Sequence, residues 1–211
     1  MRNLDRKFNR GRTTLICGVD EVGRGAIAGP VVAAAVILPA NCRILGVNDS
    51  KLLTPKQRQQ LAPVIKSRAR GWAVAAVGHR FIEHNNIACA TFWAMRRAVQ
   101  KLLRRLGNIS ANLLVLADGW EIPDLGLPCQ GIPKGDAQSL SIACASIIAK
   151  VYRDEMMRRI DRRFPNYGFA RHKGYGTPEH IRALFQFGPS PIHRRTFEPV
   201  RTLLQGPRSL I

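Results

Sequence analysis

Residues Thr13 to Val19 form a short apolar run that stops on two adjacent acids, Asp20-Glu21, and a Gly23-Arg24-Gly25 turn. A run of that length, bounded by turn residues, reads as a buried strand with Asp20 at its carboxyl end. Pro30 to Leu38, β-branched and alanine-rich, reads as a second strand closed by Pro39, and Trp72 to Gly78 as a third. Asn112 to Ala117 is a fourth, with Asp118-Gly119 at its end, and Leu127 to Gly131 a shorter fifth that Pro128 weakens. Helices separate the later strands. Thr54-Pro55 starts one that runs to about Arg70, with a kink or split expected at Pro63. Ile82 to Leu106 carries Ile87, Phe92, Met95, Val99 and Leu102 at helical spacing. Asp136 is placed to cap a long helix from Ala137 to Arg163, and Pro178 to Phe187 forms a last one. This order predicts an α/β fold with a mixed five-stranded sheet flanked by helices. Neighbouring, parallel strands ending at Asp20 and Asp118 would bring both carboxylates to the carboxyl edge, where α/β sheets bind ligands.

The charge balance narrows what that edge faces. Lys plus Arg number 33 against 14 Asp plus Glu, a net charge of +19, so the chain attracts phosphate polymers. Carboxylates repel phosphate unless a divalent cation lies between them, and paired acids in so basic a chain imply a metal site facing a nucleic-acid backbone. A hydrophobic content of 45% is ordinary for a folded protein, and the absence of any apolar run of about 18 residues excludes a transmembrane helix. Met1 to Arg12 is basic without a signal-like apolar segment, which points to a cytoplasmic protein. The five cysteines are widely spaced with no C-x-x-C pair, as in small buried residues of a reduced protein.

Asp20, Glu21, Asp118 and Asp136 all fall at junctions of expected elements. Singly, Asp118-Gly119 is an ordinary turn and Asp136 an ordinary N-cap. Jointly they have the composition of a two-metal phosphodiesterase, whose cations sit about 4 Å apart. Asp20, central in the group, is the candidate to bridge both ions. The Gly23-Arg24-Gly25 backbone can approach a sugar closely enough to meet a 2′-hydroxyl. Arg171-His172-Lys173-Gly174-Tyr175-Gly176 interleaves cations with an aromatic ring, suited to a phosphate backbone with a stacked sugar or base. Ser50 and Lys51, next to Asp49, and the helical face of Ser146, Lys150 and Asp154 can also touch phosphate. Asp154 either assists the metal site or pairs with Arg158.

Ile16 to Val31, with Asp20-Glu21 and Gly23-Arg24-Gly25 at its centre, resembles the opening signature of ribonuclease HII, the type 2 ribonuclease H family. The likeness continues through Asn48 to Leu52, Asn86 to Thr91, Ala94 to Val99, Asp118-Gly119, Lys134 to Asp136, Ala145 to Asp154 and His172 to Thr177. It implies a ribonuclease-H-like catalytic domain over 13–164, a C-terminal substrate-binding loop and helical subdomain over 165–205, a basic extension over 1–12 and a tail over 206–211. It further implies endonucleolytic cleavage of RNA in RNA–DNA hybrids and 5′ of single ribonucleotides in duplex DNA, leaving 3′-hydroxyl and 5′-phosphate ends. In that family an acidic tetrad, here Asp20, Glu21, Asp118 and Asp136, binds two Mg²⁺ or Mn²⁺ ions. The Gly-Arg-Gly backbone and Tyr175 read the RNA-to-DNA junction. A monomer is expected. The tail Gly206 to Ile211 reads as a disordered end or a short docking peptide for a replication protein. The other class in play is a non-catalytic basic nucleic-acid-binding protein, which explains the charge and leaves the acids idle. The type 3 branch is set aside because the few residues before Thr13 leave no room for its N-terminal domain.

Overall fold

A computed structural model describes residues 4–9, 14–47, 50, 52–107 and 112–205. Lys51, Asp49 and the tail 206–211 lie outside the described residues. The strands are β1 (Leu15–Val22), β2 (Val31–Ile37), β3 (Gly71–Val77), β4 (Leu113–Asp118) and β5 (Cys129–Ile132). They form one mixed sheet in the order β3-β2-β1-β4-β5, with β1 antiparallel to β2 and parallel to β4. β1 runs three residues further than its apolar run, so Asp20 and Glu21 lie inside the strand. Val19 pairs with Ala117, which sets Asp20 level with Asp118 at the carboxyl edge.

Helices α1 (Leu4–Phe8), α2 (Pro55–Arg68), α3 (His79–Leu106), α4 (Gly135–Gln138) and α5 (Leu140–Asp161) surround the sheet. Alternate residues divide it into two cores. Cys17, Val19, Ala33 and Ala35 pack against α3, while Val32, Ala34 and Val36 pack with α5 and α2. α5 comes close because Ala143, Ala145 and Ala149 are small and Gly18 of β1 has no side chain.

Three helix boundaries differ from the sequence reading. α2 is continuous through Pro63, which is exposed, so the carbonyl it leaves unbonded reaches water. α3 is broken at Asn86, whose backbone is left-handed at φ 64° and whose side chain accepts the Cys89 N–H at 3.0 Å, restarting the helix. The long helix expected from Ala137 is two helices: Ser139, not Asp136, is the N-cap of α5, its Oγ accepting the Ile142 N–H. Asp136 lies instead in the first turn of α4.

Beyond α5, a 3₁₀ turn (Pro165–Tyr167), α6 (Phe169–His172), α7 (Pro178–Phe187) and α8 (Val200–Gln205) build a small helical subdomain. It joins the loop between β1 and β2 through bridges between Ala26 and Tyr175 and between Ala28 and His193. α1 and α8 have no counterpart in the sequence reading. α1 is held by Asp5, whose carboxylate accepts hydrogen bonds from Ser139 Oγ at 2.5 Å and from the Ser141 N–H and Oγ at 2.9 Å. Among the described residues no helix is long and apolar enough to cross a membrane.

Candidate active site

Strand parity decides which acids meet. Residues of β1 with even numbers face α5, so Asp20 lies on that side and Glu21 on the α3 side. On β4, Leu116 packs on the α5 side, and Asp118, two residues on, shares that side with Asp20. The turn before α4 brings in Asp136. Carboxylate oxygens of Asp20, Asp118 and Asp136 lie within 4.8 Å of one another, with Asp20 and Asp136 buried. Glu21 stands outside this trio but lines the same cleft.

The acids are held firmly. Asp20 Oδ1 accepts the Glu21 N–H at 2.6 Å, and Asp118 Oδ1 accepts the Gly135 N–H at 2.6 Å. Burial, reinforced by the negative charges of Glu21 and Asp118, holds the Asp20 carboxyl well above the usual carboxylate range. Burial likewise raises Glu21, against the opposing pull of Arg24, whose Nη1 lies 3.4 Å from Oε1. Repelling carboxylates gathered at low dielectric suit a divalent cation, and an all-oxygen donor set suits Mg²⁺ or Mn²⁺. The residues therefore fit the metal that the fold implies.

The Gly23-Arg24-Gly25 loop lines the same cleft, tied by buried Arg194, while buried Arg153 ties the segment that follows it. Arg194 donates from Nη2 to the Gly23 carbonyl at 2.7 Å, from Nη1 to the Arg24 carbonyl at 2.8 Å and from Nε to the Gly29 carbonyl at 3.0 Å. Arg153 donates to the carbonyls of Pro30, Ala28 and Lys173. Gly23 has φ of 95°, and a Cβ there would sit 2.2 Å from Arg153 Nε. Above Gly25 a Cβ would meet nothing within 4 Å, so that backbone faces open space.

A family model described as Ribonuclease HII matches residues 17–200. The chain belongs to the ribonuclease HII family. Ribonuclease HII of Caldicellulosiruptor saccharolyticus is 50% identical over 182 residues, covering 86% of this chain and 86% of that protein. The ribonuclease H2 structure from Pyrococcus horikoshii OT3 superposes with a TM-score of 0.74 at 26% identity, covering 91% of this chain and 98% of that one. The ribonuclease HII of a PCNA complex from Archaeoglobus fulgidus gives 0.68 at 25% identity, covering 87% and 95%. Like its family, the protein is a metal-dependent ribonuclease H, an endoribonuclease of RNA–DNA hybrids.

Of the other residues singled out in the sequence, Ser50, Ser146, Lys150 and Tyr175 line the cleft with the acids. Ser50 and Ser146 share a hydrogen bond of 2.7 Å between hydroxyls. Lys150 donates to Asp154 at 2.7 Å, so Asp154 pairs with Lys150 rather than Arg158, which binds Glu155. Arg171, His172 and Lys173 do not line the cleft. Arg171 is exposed and paired with Glu179, and Lys173 Nζ donates to the Ala170 carbonyl. His172 corrects the sequence reading: its buried ring stacks on His180 at 4.1 Å and is bonded through both nitrogens, to the Tyr167 carbonyl and the Gly174 N–H. A histidine within a basic loop carries no signal of that inward turn.

Sequence reasoning also missed Arg58, Arg153, Arg194 and Trp120. Among 33 cations nothing local distinguishes the few that are buried. Arg58 donates to the carbonyls of Ser50 and Leu53, and so holds the segment that carries Ser50. Trp120 follows the Asp118-Gly119 turn, where an aromatic residue next to an acid was the available sign.

Tyr175 is positioned by a histidine relay whose proton places follow from its partners. His193 Nδ1 accepts the Ser190 N–H at 2.9 Å, so its Nε2 carries the proton toward His180 Nε2 at 3.0 Å. His180 Nδ1 then donates to the Tyr175 carbonyl at 2.9 Å. Burial pushes both rings down to about 4 from the ordinary value of 6.5. The unfolded chain therefore binds more protons below pH 6.5, and stability falls as pH falls toward 4. Between pH 7 and pH 5 each ring should withdraw roughly 2 kcal/mol, read as a lowered urea midpoint. The raised Asp20 carboxyl gains stability on the same acidification, so the interval is read in Asp20→Asn, where an unchanged midpoint would show that the rings are not held neutral.

Proposed function

We propose that the protein nicks duplex DNA on the 5′ side of a single embedded ribonucleotide, as well as cutting longer hybrids, leaving 3′-hydroxyl and 5′-phosphate ends. Two Mg²⁺ or Mn²⁺ ions are assigned to Asp20, Glu21, Asp118 and Asp136. The observation that carries this reading is the convergence of three aspartates from β1, β4 and α4 within 4.8 Å, in a chain of net charge +19. When bound, divalent cations supply Lewis-acid stabilisation of the phosphoryl charge.

The protein's own groups do the positioning. The Gly23-Arg24-Gly25 backbone, tied down by Arg194 and open to solvent at Gly25, is assigned to the 2′-hydroxyl, which only RNA carries. Tyr175 is assigned to the adjoining sugar face, where the ring limits which nucleotide fits. Ser50, Ser146 and Lys150 are assigned to the phosphates on that side of the cleft. A cytoplasmic monomer belongs to the same reading. So does a weak docking of the tail 206–211 to a replication protein, supported by the Archaeoglobus relative solved with PCNA. Loss of clamp capture after truncation at Gln205 is the outcome expected for that docking.

A duplex carrying one ribonucleotide, incubated with Mg²⁺, Mn²⁺ or chelator, tests the proposal. One nick 5′ of the ribonucleotide is expected, absent with chelator and absent on all-DNA duplex. Binding without a nick in either metal would remove single-ribonucleotide nicking and leave the protein a nuclease of longer hybrids alone.

A further inference from the structure

On the α3 side of β1, behind the acidic cleft, lies a second cavity of about 230 Å³. Its apolar lining is Ala88, Phe92 and Met95 of α3 together with Trp120. Glu21, Arg24 and Asp118 line both this cavity and the acidic cleft, so the two are continuous. Trp120 keeps 61% of its surface exposed, a large apolar group left in water beside a working site. The Arg24 guanidinium lies over its ring at 5.0 Å and links it to Glu21.

We propose that this cavity is a stacking subsite for one nucleobase of the strand being cut, next to the scissile phosphate, with Trp120 as its platform. The proposal rests on the hybrid-nuclease reading above and deepens it. Three observations select the occupant. The carboxylates of Glu21 and Asp118 repel a bare phosphate, while an uncharged ring escapes that repulsion. At about 230 Å³ the space falls below the ~300–1,000 Å³ that encloses a whole small-molecule ligand, and so suits one ring of a larger one. Continuity with the acids puts the Trp120 ring within reach of a strand cut there. Arg24 supplies the positive charge for the phosphate following that base.

The test couples the ring to the base. Duplexes carrying one ribonucleotide are made with each flanking base on the cut strand removed in turn, leaving an abasic residue. Wild type, W120A and W120F are then compared by KM and kcat in Mg²⁺. For wild type, one abasic position should raise KM roughly tenfold, the scale of a single lost base–aromatic stack. W120A should raise KM by a similar factor on intact duplex and be almost indifferent to that same abasic position, while W120F recovers most of the loss. Trp120 is exposed, so its removal leaves the core intact, and thermal midpoints of the variants confirm this. Costs of W120A and of every abasic position that multiply independently would overturn the subsite, as would a KM for W120A within twofold of wild type. Failure of wild type to nick the intact duplex would instead overturn the single-ribonucleotide reading on which the subsite rests.

Discussion

Asp20→Asn is expected to reduce cleavage of an embedded-ribonucleotide duplex by at least about a thousandfold, roughly 4 kcal/mol of transition-state stabilisation, while the metal-free variant is at least as stable as wild type. Both halves follow from the same geometry. Asp20 is buried against Glu21 and Asp118, and its carboxyl is held up by burial and by their charges. A folded pKa raised above the unfolded value means that ionised Asp20 destabilises the metal-free fold, increasingly as pH rises through that range. Asparagine removes the charge and keeps an oxygen to accept the Glu21 N–H now bonded at 2.6 Å. What it cannot supply is an anionic ligand, so the rise in melting temperature that Mg²⁺ or Mn²⁺ gives wild type should shrink. The paired measurement is single-turnover cleavage beside melting curves with and without metal. Cleavage within tenfold of wild type would remove Asp20 from the reaction. A metal-free variant several kcal/mol less stable would mean that Asp20 holds the fold rather than the ion.

Gly18→Ala should be the most destabilising single methyl in the protein, costing more than about 3 kcal/mol and leaving little soluble chain. Gly18 faces α5, and a Cβ there would lie 2.1 Å from the Ser141 carbonyl carbon and 2.3 Å from the Ile142 nitrogen. These are backbone atoms of the first turn of α5, which no rotamer change can move aside. Relief requires the helix to retreat from the sheet. That retreat would also separate Ser146 from Asp20 and strain the link to α4, which carries Asp136. Urea unfolding of wild type and G18A settles the size of the effect. A stability within 1 kcal/mol of wild type would show that α5 yields easily and that sheet–helix contact is not what holds the acids together.

Much of the site could be read along the chain because its parts lie at ends of local patterns. Asp20 and Asp118 close apolar runs, and such runs report strands through their length and boundaries whatever surrounds them. α7 was legible to the residue, since Thr177-Pro178 starts it with a capping hydroxyl and a proline in the first turn. Asn86 was not, because an asparagine inside an apolar periodicity marks a break only if the backbone there turns left-handed. α1 was missed for a related reason. Its five residues have no helical future alone; three hydrogen bonds from Ser139 and Ser141 to Asp5, and the packing of Leu4 and Phe8 on the cluster of Ile16 and Ile142, fix them.

The sequence by itself determined the α/β class, the apolar strand runs that lead into Asp20 and Asp118, the family, and a partner of opposite charge. Those follow from periodicity, chain order and composition, all local or summed quantities. Tertiary structure alone decided that Glu21 stands apart from Asp20, Asp118 and Asp136, on the face of the sheet toward Trp120. It also decided that Arg194 holds the carbonyl of Gly23 from 171 positions away, and that His172 turns inward. Each of these depends on which surfaces pack together. An arginine or histidine has the same local character buried or exposed, and only the fold supplies the carbonyls that make its burial tolerable.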